Sequence, residues 1–343
     1  MTAVPPSGAH EGGAMTAVPP SGAHGGDARV VALALGLDPA TVLDLSASLN
    51  PFAPDPSPLL VSALDAGVLR RYPDAEDLRA ATAALAEALG VDAGRVLVTN
   101  GGAEAIALVA AELGAGWVDP PEFSLYGRHL AGIVPGAARW RSDPHNPTGR
   151  LAADGERAAV WDEAFYPLAT GRWTRGAGPE PRGAPAIVVG SLTKVLGCPG
   201  LRVGYVVVPD DDGEALGHPR LRRCLAARQP AWSVGTPALA VLPALVERAD
   251  VAAWAAAVAR HRDELVGVLR RHGLAPRPSD ANYVLVDGAQ GLRERLAPLG
   301  VVVRDGASWG LPGSVRIAVP DAVGMERLDA ALAKLAADHG VPG

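Results

Sequence analysis

Five short apolar runs, at residues 96–99, 116–119, 160–161, 186–190 and 203–208, alternate with stretches whose apolar positions have helical spacing. Strands buried on both faces read as continuous Val/Ile/Leu segments, and runs this brief are too short for buried helices. Their alternation with helices predicts an α/β fold with a mostly parallel, doubly wound sheet. Helical stretches fall at 27–37, 59–69 and 77–89, and a further helix ends at Leu113. From about residue 234 the order changes. A long helix over 250–272, strands at 283–286, 301–304 and 315–319, and a terminal helix over 322–339 predict a smaller α+β domain. The chain thus divides into a disordered tail (1–22), an N-terminal segment packing on the smaller domain (23–45), a large domain (46–235) and a small C-terminal domain (236–343).

In the tail, MTAVPPSGAH at Met1–His10 recurs unchanged at Met15–His24. It is too short and too rich in Pro and Gly to be a packing repeat, so Met15 is expected to be the functional start. Net charge is −6, with acids and bases interspersed. That distribution argues against a nucleic-acid partner. Two cysteines, Cys198 and Cys224, make no disulfide framework and point to a reducing cytoplasm. The alanine-rich stretch 251–258 runs into Arg260, Arg262, Asp263 and Glu264. It falls short of the ~20 apolar residues of a membrane span, so no membrane association is expected.

The chemistry concentrates around Lys194, in Ser191-Leu192-Thr193-Lys194-Val195-Leu196-Gly197-Cys198-Pro199-Gly200-Leu201-Arg202. The apolar run before it places this lysine at a strand end, where α/β sheets carry their sites. A lysine between two hydroxyls, with an arginine eight residues on, suits pyridoxal 5′-phosphate (PLP). Its amine forms a Schiff base with the aldehyde, while Ser191, Thr193 and Arg202 hold the phosphate. The turn Asn100-Gly101-Gly102-Ala103-Glu104, leading from a strand into a helix, adds free backbone N–H groups and a helix dipole for the same phosphate. Asp162, after a short apolar run, is the acid that would keep the pyridine nitrogen protonated. Asn146, in His145-Asn146-Pro147-Thr148-Gly149, is a neutral donor for the phenolic oxygen. Phe123 is the aromatic for the ring face, and Arg316 the bidentate partner for a substrate carboxylate. Singly, each has an ordinary reading as turn, core phenylalanine, strand-end acid or edge-strand arginine. In this order they compose one site.

Over roughly residues 24–340 the sequence resembles fold-type I PLP enzymes of the class I/II aminotransferase superfamily. Within it the similarity is greatest to L-threonine-O-3-phosphate decarboxylases of cobalamin biosynthesis, with histidinol-phosphate aminotransferases as near relatives. His24-Gly25-Gly26-Asp27 resembles the decarboxylases' His-Gly-Gly motif. Asp44-Leu45-Ser46-Ala47-Ser48-Leu49-Asn50-Pro51 resembles their Asp-Phe-Ser-Ala-Asn-Ile-Asn-Pro, and Phe165 stands where most aminotransferases have tyrosine. The resemblance implies Lys194 as the Schiff-base lysine, Asp162 on the pyridine nitrogen, Asn146 on the phenolic oxygen and Phe123 on the ring. It implies Gly102, Ala103, Ser191, Thr193 and Arg202 on the cofactor phosphate. Tyr72 would reach the phosphate in a neighbouring subunit, which makes the protein a homodimer with shared sites. Arg304 and Arg316 would bind the anionic groups of a phosphorylated amino-acid substrate, with His24 and Asn50 close by.

The chain departs from the family where relatives carry further helices and a strand, between Tyr126 and Asn146 and between Gly149 and Asp162. Ala103 also replaces a frequent threonine. The implied activity is decarboxylation of L-threonine O-3-phosphate to (R)-1-amino-2-propanol O-2-phosphate. An aminotransferase acting on histidinol phosphate or a related amino acid is the alternative, and a PLP-binding protein without catalysis a third.

Overall fold

The computed structural model describes residues 17–22, 24–175 and 185–339. A five-stranded sheet forms its centre, in the order Val96–Thr99, Gly204–Val207, Ile187–Ser191, Val160–Asp162 and Trp140–Ser142. Gly204–Val207 runs antiparallel to both its neighbours, and the remaining pairs are parallel. Four of the five strands therefore share one direction, as the alternation of runs and helices predicts. Side chains leave each strand alternately on the two faces. Val96, Val98, Val188 and Val207 join one core with helices Ala75–Leu89 and Thr236–Glu247. Leu97, Ile187, Val189 and Val206 join the other with helix Gly101–Leu113. Both faces are covered, which is why these runs contain no polar alternation.

The expected strand at 116–119 differs. Only Ala115–Gly116 is a strand, paired in parallel with Gly132–Ile133 outside the main sheet, and Trp117 bridges to Arg139. Asp119 is followed by Pro120 and Pro121, which have no N–H to donate to a ladder. The run expected over 301–304 splits in two. Val301–Val302 pairs in parallel with Leu43–Asp44, and Arg304–Asp305 pairs antiparallel with Val315–Ala318. The second sheet has the order Arg304–Asp305, Val315–Ala318, Tyr283–Asp287, Ala275–Pro276, all antiparallel.

Helix Thr236–Glu247 packs in the same core as Ala75–Leu89. Helix Val251–Arg271 gives Val251, Trp254 and Val258 to that core, then Leu265, Val268 and Leu269 to the core under the second sheet. The change of core therefore falls inside this helix, later than the expected change near residue 235. At the N-terminus, Ala28 and Val31 pack on Ala297 and Val302, and Val18 packs against them. The Pro19 carbonyl accepts a hydrogen bond from Arg293, 2.7 Å away. Within the expected tail, residues 18 and 19 are thus anchored; residues 1–16 lie outside the described residues, as does most of the Gly/Pro-rich loop at 174–185.

The connection between the parallel strands Trp140–Ser142 and Val160–Asp162 contains turns and no helix. Arg175 covers Trp161 on this side. Its guanidinium lies 3.8 Å from the Trp161 ring centre, pairs with Asp143 at 2.8 Å and reaches Glu163 at 3.9 Å. Both carboxylates are fully buried. Removing one member of a buried ion-pair cluster leaves the others uncompensated. Arg175→Ala is expected to destabilise the fold by about 3 kcal/mol, read by denaturant unfolding. A loss below about 1 kcal/mol, the range of an exposed pair, would contradict this role.

Candidate active site

Lys194 lies on the one-turn helix Leu192–Val195, directly after the strand Ile187–Ser191. Its ammonium donates to the Ala47 carbonyl at 2.7 Å. Burial, with Arg316 and Arg304 nearby, pulls its pKa down to about 7, against a small opposing effect of Asp44. An amine with that pKa is substantially neutral near neutrality, the form able to attack a carbonyl. Asn50 fixes the turn from outside: its N–H donates to the Lys194 carbonyl at 3.0 Å and its Nδ2 to the Val195 carbonyl at 2.8 Å. The Asn50 amide is therefore engaged with the lysine turn.

A cradle opens beside Ser191. Gly101, at φ +73°, begins helix Gly101–Leu113; a Cβ there would meet Arg202 Nη2 at 2.5 Å. A Cβ on Gly102 would meet the Ser191 Cβ at 3.1 Å, and one on Gly204 would meet the Gly102 nitrogen at 2.5 Å. Glycine at these positions thus lets the helix N-terminus, Ser191 and Arg202 converge, with Ala103 in the first helical turn. The Thr193 hydroxyl is buried without a hydrogen-bond partner among the described residues. Unfilled donors, a hydroxyl, a guanidinium and a helix N-terminus suit a phosphate, so this chain's residues fit the phosphate of PLP.

Asp162 is buried at the end of its strand. It accepts hydrogen bonds from the Tyr126 hydroxyl at 2.8 Å and the Ala164 N–H at 3.0 Å. Burial raises its pKa, and these two donors oppose the rise. Tyr126 also meets the Phe123 ring edge-on at 5.8 Å. Sequence reading missed this contribution, although Tyr126 stands three residues after Phe123 at a helical spacing. Glu122, buried and with its carboxyl pushed up to about 7 by burial, accepts from the Phe123 N–H at 3.0 Å and from the Ser142 hydroxyl at 2.7 Å. Ser142 Oγ in turn accepts from the Asn146 N–H at 2.8 Å. Arg316 donates to the Asn146 side-chain oxygen at 2.8 Å, which leaves Nδ2 as that amide's donor.

Arg304 and Arg316 face each other across the two strands of the second sheet, and both are buried. Burial, then mutual proximity, lowers Arg304 to about 9; burial lowers Arg316 to about 10. His24, although exposed, sits with its ring 5.7 Å from Phe123. Its pKa is lowered by partial enclosure and by the charges of Arg304, Arg128 and Lys194. Phe165 lies between these groups, 5.9 Å from both the Lys194 ammonium and the Arg316 guanidinium. Contacts thus link Lys194, Asp162, Asn146, Phe123, Arg304, Arg316 and His24 in one neighbourhood. Tyr72 does not join them: it is 73% exposed and its ring lies 4.8 Å from that of Trp232, tilted by 34°.

Residues 142–335 match the family model described as aminotransferase class I and II. A threonine-phosphate decarboxylase of Salmonella typhimurium is 32% identical, over 89% of this chain and 94% of its own length. The chain belongs to the class I and II aminotransferase family. A histidinol-phosphate aminotransferase of Natronomonas pharaonis is 29% identical over 84% of this chain and 89% of its own. A histidinol-phosphate aminotransferase from Sinorhizobium meliloti, solved in complex with pyridoxal 5′-phosphate, matches with a TM-score of 0.70 at 21% identity, covering 86% of this chain and 90% of that one. The fold is therefore PLP fold type I, and the family's cofactor, pyridoxal 5′-phosphate, is the cofactor here.

Tyr126→Phe keeps the ring packing and deletes one donor to a buried carboxylate. It is expected to weaken PLP retention roughly tenfold, measured as a dissociation constant from the visible band, with the melting temperature nearly unchanged. An unaltered constant would exclude a Tyr126 contribution to Asp162.

Proposed function

We propose that this member of the family is a lyase that decarboxylates L-threonine O-3-phosphate to (R)-1-amino-2-propanol O-2-phosphate. The carrying observation is Phe165, whose ring lies over Lys194 and edge-on to Tyr283 at 5.0 Å. No hydroxyl is available at that position to hold the cofactor's phenolic oxygen, and the resemblance places phenylalanine there in the decarboxylases. His24, from the His-Gly-Gly motif, supports the same reading through its place against Phe123.

Lys194 would hold the cofactor, Asp162 would keep a proton on its ring nitrogen, and Gly102, Ala103, Ser191, Thr193 and Arg202 would hold its phosphate. When bound, PLP supplies an electron sink for the electron pair of a bond to the substrate Cα. Arg304 and Arg316 would bind the two anionic ends of the substrate and so decide which Cα bond stands in line for cleavage. Decarboxylation releases the carboxylate as CO2 and requires one proton at Cα. The Lys194 amine, with a pKa near 7, would deliver it from its protonated form. Burial of Arg304 and Arg316 strengthens their hold on anions, because little water competes for them.

The second reading, an aminotransferase acting on histidinol phosphate or a related amino acid, is supported by the Natronomonas relative's name and uses the same arginines. The two differ in whether a 2-oxo acid is needed. Purified PLP-loaded protein is to be incubated with L-threonine O-3-phosphate, with and without 2-oxoglutarate, and its products weighed by mass spectrometry. Decarboxylation requires CO2 release independent of the oxo acid. Glutamate formed only when it is present would replace this proposal with the second. Lys194→Ala is expected to lose the visible band of the lysine-bound cofactor and all turnover; a surviving band would remove Lys194 from its role.

We further propose a homodimer with shared sites. Tyr72 and Trp232 form a tilted aromatic pair that is 73% and 62% exposed. Exposed apolar side chains grouped in this way mark an interface. Tyr72→Phe is expected to weaken PLP retention several-fold at dimer-forming concentrations, by loss of one phosphate donor. A constant equal to that of the unsubstituted protein would place Tyr72 outside the shared site.

A further inference from the structure

Arg304 and Arg316 are directly opposed in an antiparallel pair, an arrangement that is destabilising for like charges. The hairpin that joins their strands carries the one-turn helix Ala307–Trp309. From it the Trp309 ring reaches both guanidiniums: its centre is 4.1 Å from the Arg304 Cζ and 5.0 Å from the Arg316 Cζ. Tyr283 supports Arg316 from 4.4 Å. Trp309 is buried, and its Nε1–H has no hydrogen-bond partner among the described residues. The hairpin is held across its neck by Gly306 N–H to Ser314 O at 2.8 Å and Leu311 N–H to Gly306 O at 3.1 Å, so the indole has a fixed seat.

A π face attracts a guanidinium without consuming its in-plane N–H donors, which a carboxylate would occupy. One ring that serves two guanidiniums holds them side by side, alongside the hydrogen bonds that Arg304 donates to the Ser308 hydroxyl at 3.2 Å and Arg316 to the Asn146 side-chain oxygen at 2.8 Å. The indole N–H is a further donor in the same buried place, and a buried donor without an acceptor is costly unless a ligand satisfies it.

We propose that Trp309 is the specificity-determining residue of this site. Its ring aligns Arg304 and Arg316 for two separate anionic groups on one amino acid, and its Nε1–H donates to the second of them. This rests on the reading of Arg304 and Arg316 as the substrate's anion receptors. Trp309 thus makes the site select amino acids bearing a side-chain phosphate over those with the carboxylate alone.

The test compares L-threonine O-3-phosphate with L-threonine, their dissociation constants read from the change in the visible band of the PLP-loaded protein. Trp309→Phe keeps an aromatic face and removes the donor. It is expected to weaken the phosphorylated ligand about tenfold and L-threonine less than twofold. Trp309→Leu removes the face as well and is expected to weaken the phosphorylated ligand further, to about a hundredfold. An intact visible band and melting curve certify the fold of each variant, and Trp309→Phe alone decides the matter if Trp309→Leu does not fold. Equal weakening of both ligands would reduce Trp309 to a structural role and overturn the proposal. An undiminished preference for the phosphorylated ligand in Trp309→Phe would overturn it too. No preference in the unsubstituted protein would overturn both this proposal and the reading of the arginines beneath it.

Discussion

The structure is organised around three basic side chains withdrawn from water close to one another, Lys194, Arg304 and Arg316. Each is pushed toward the neutral form, first by burial; the arginine charges depress Lys194 further, and Arg316 depresses Arg304. Such an arrangement costs stability unless dipoles and π faces replace the lost water. The chain supplies them: the Ala47 carbonyl to Lys194, the Asn146 amide oxygen to Arg316, and the rings of Trp309 and Tyr283 to the guanidiniums. These partners come from parts of the chain far apart in sequence. Residues 44–50, the main sheet and the second sheet must all be in place before these contacts exist.

This explains how much of the molecule was legible in its sequence. Four of the sheet's five strands were legible because they are buried on both faces, so the runs around Val98, Val188 and Val206 carry no competing pattern; the fifth, Trp140–Ser142, was not, because its buried residues include Arg141 and Ser142. The lysine turn and the glycine turn were legible because each motif is contiguous and its chemistry is local. Relations between motifs were not. Nothing in the sequence couples Tyr126 to Asp162, 36 residues away, or Asn146 to Arg316, 170 residues away. Nor does the sequence show that the Asn50 amide holds the lysine turn, 145 residues away. The passage of one helix from the first core to the second was hidden for a related reason. Helix Val251–Arg271 is amphipathic along its whole length, and its periodicity does not tell which core each half meets.

Between the strands Trp140–Ser142 and Val160–Asp162, which turns connect, a side chain covers the sheet. A helix covers a sheet with apolar surface, whereas Arg175 covers Trp161 with a planar cation and satisfies two buried carboxylates at once. One of them, Glu163, immediately follows Asp162, and the other, Asp143, donates its N–H to the Asp162 carbonyl at 2.7 Å. The backbone of Asp162 is thereby held between two residues that Arg175 neutralises.

The accumulated charge around Lys194, Arg304 and Arg316 has one consequence. A binding site that stores unfavourable charge gains affinity when an opposite charge enters, because the ligand relieves a cost already present in the empty protein. Here the charges lie in two groups: Arg202 with the glycine turn, and Arg304 with Arg316, separated by Lys194. The first group suits the anion of the cofactor and the second the anions of a substrate. Lys194 feels the second group most, because Arg316 and Arg304 are the largest electrostatic contributors to the lowering of its pKa. Anions held at those arginines would oppose that lowering and favour the protonated amine.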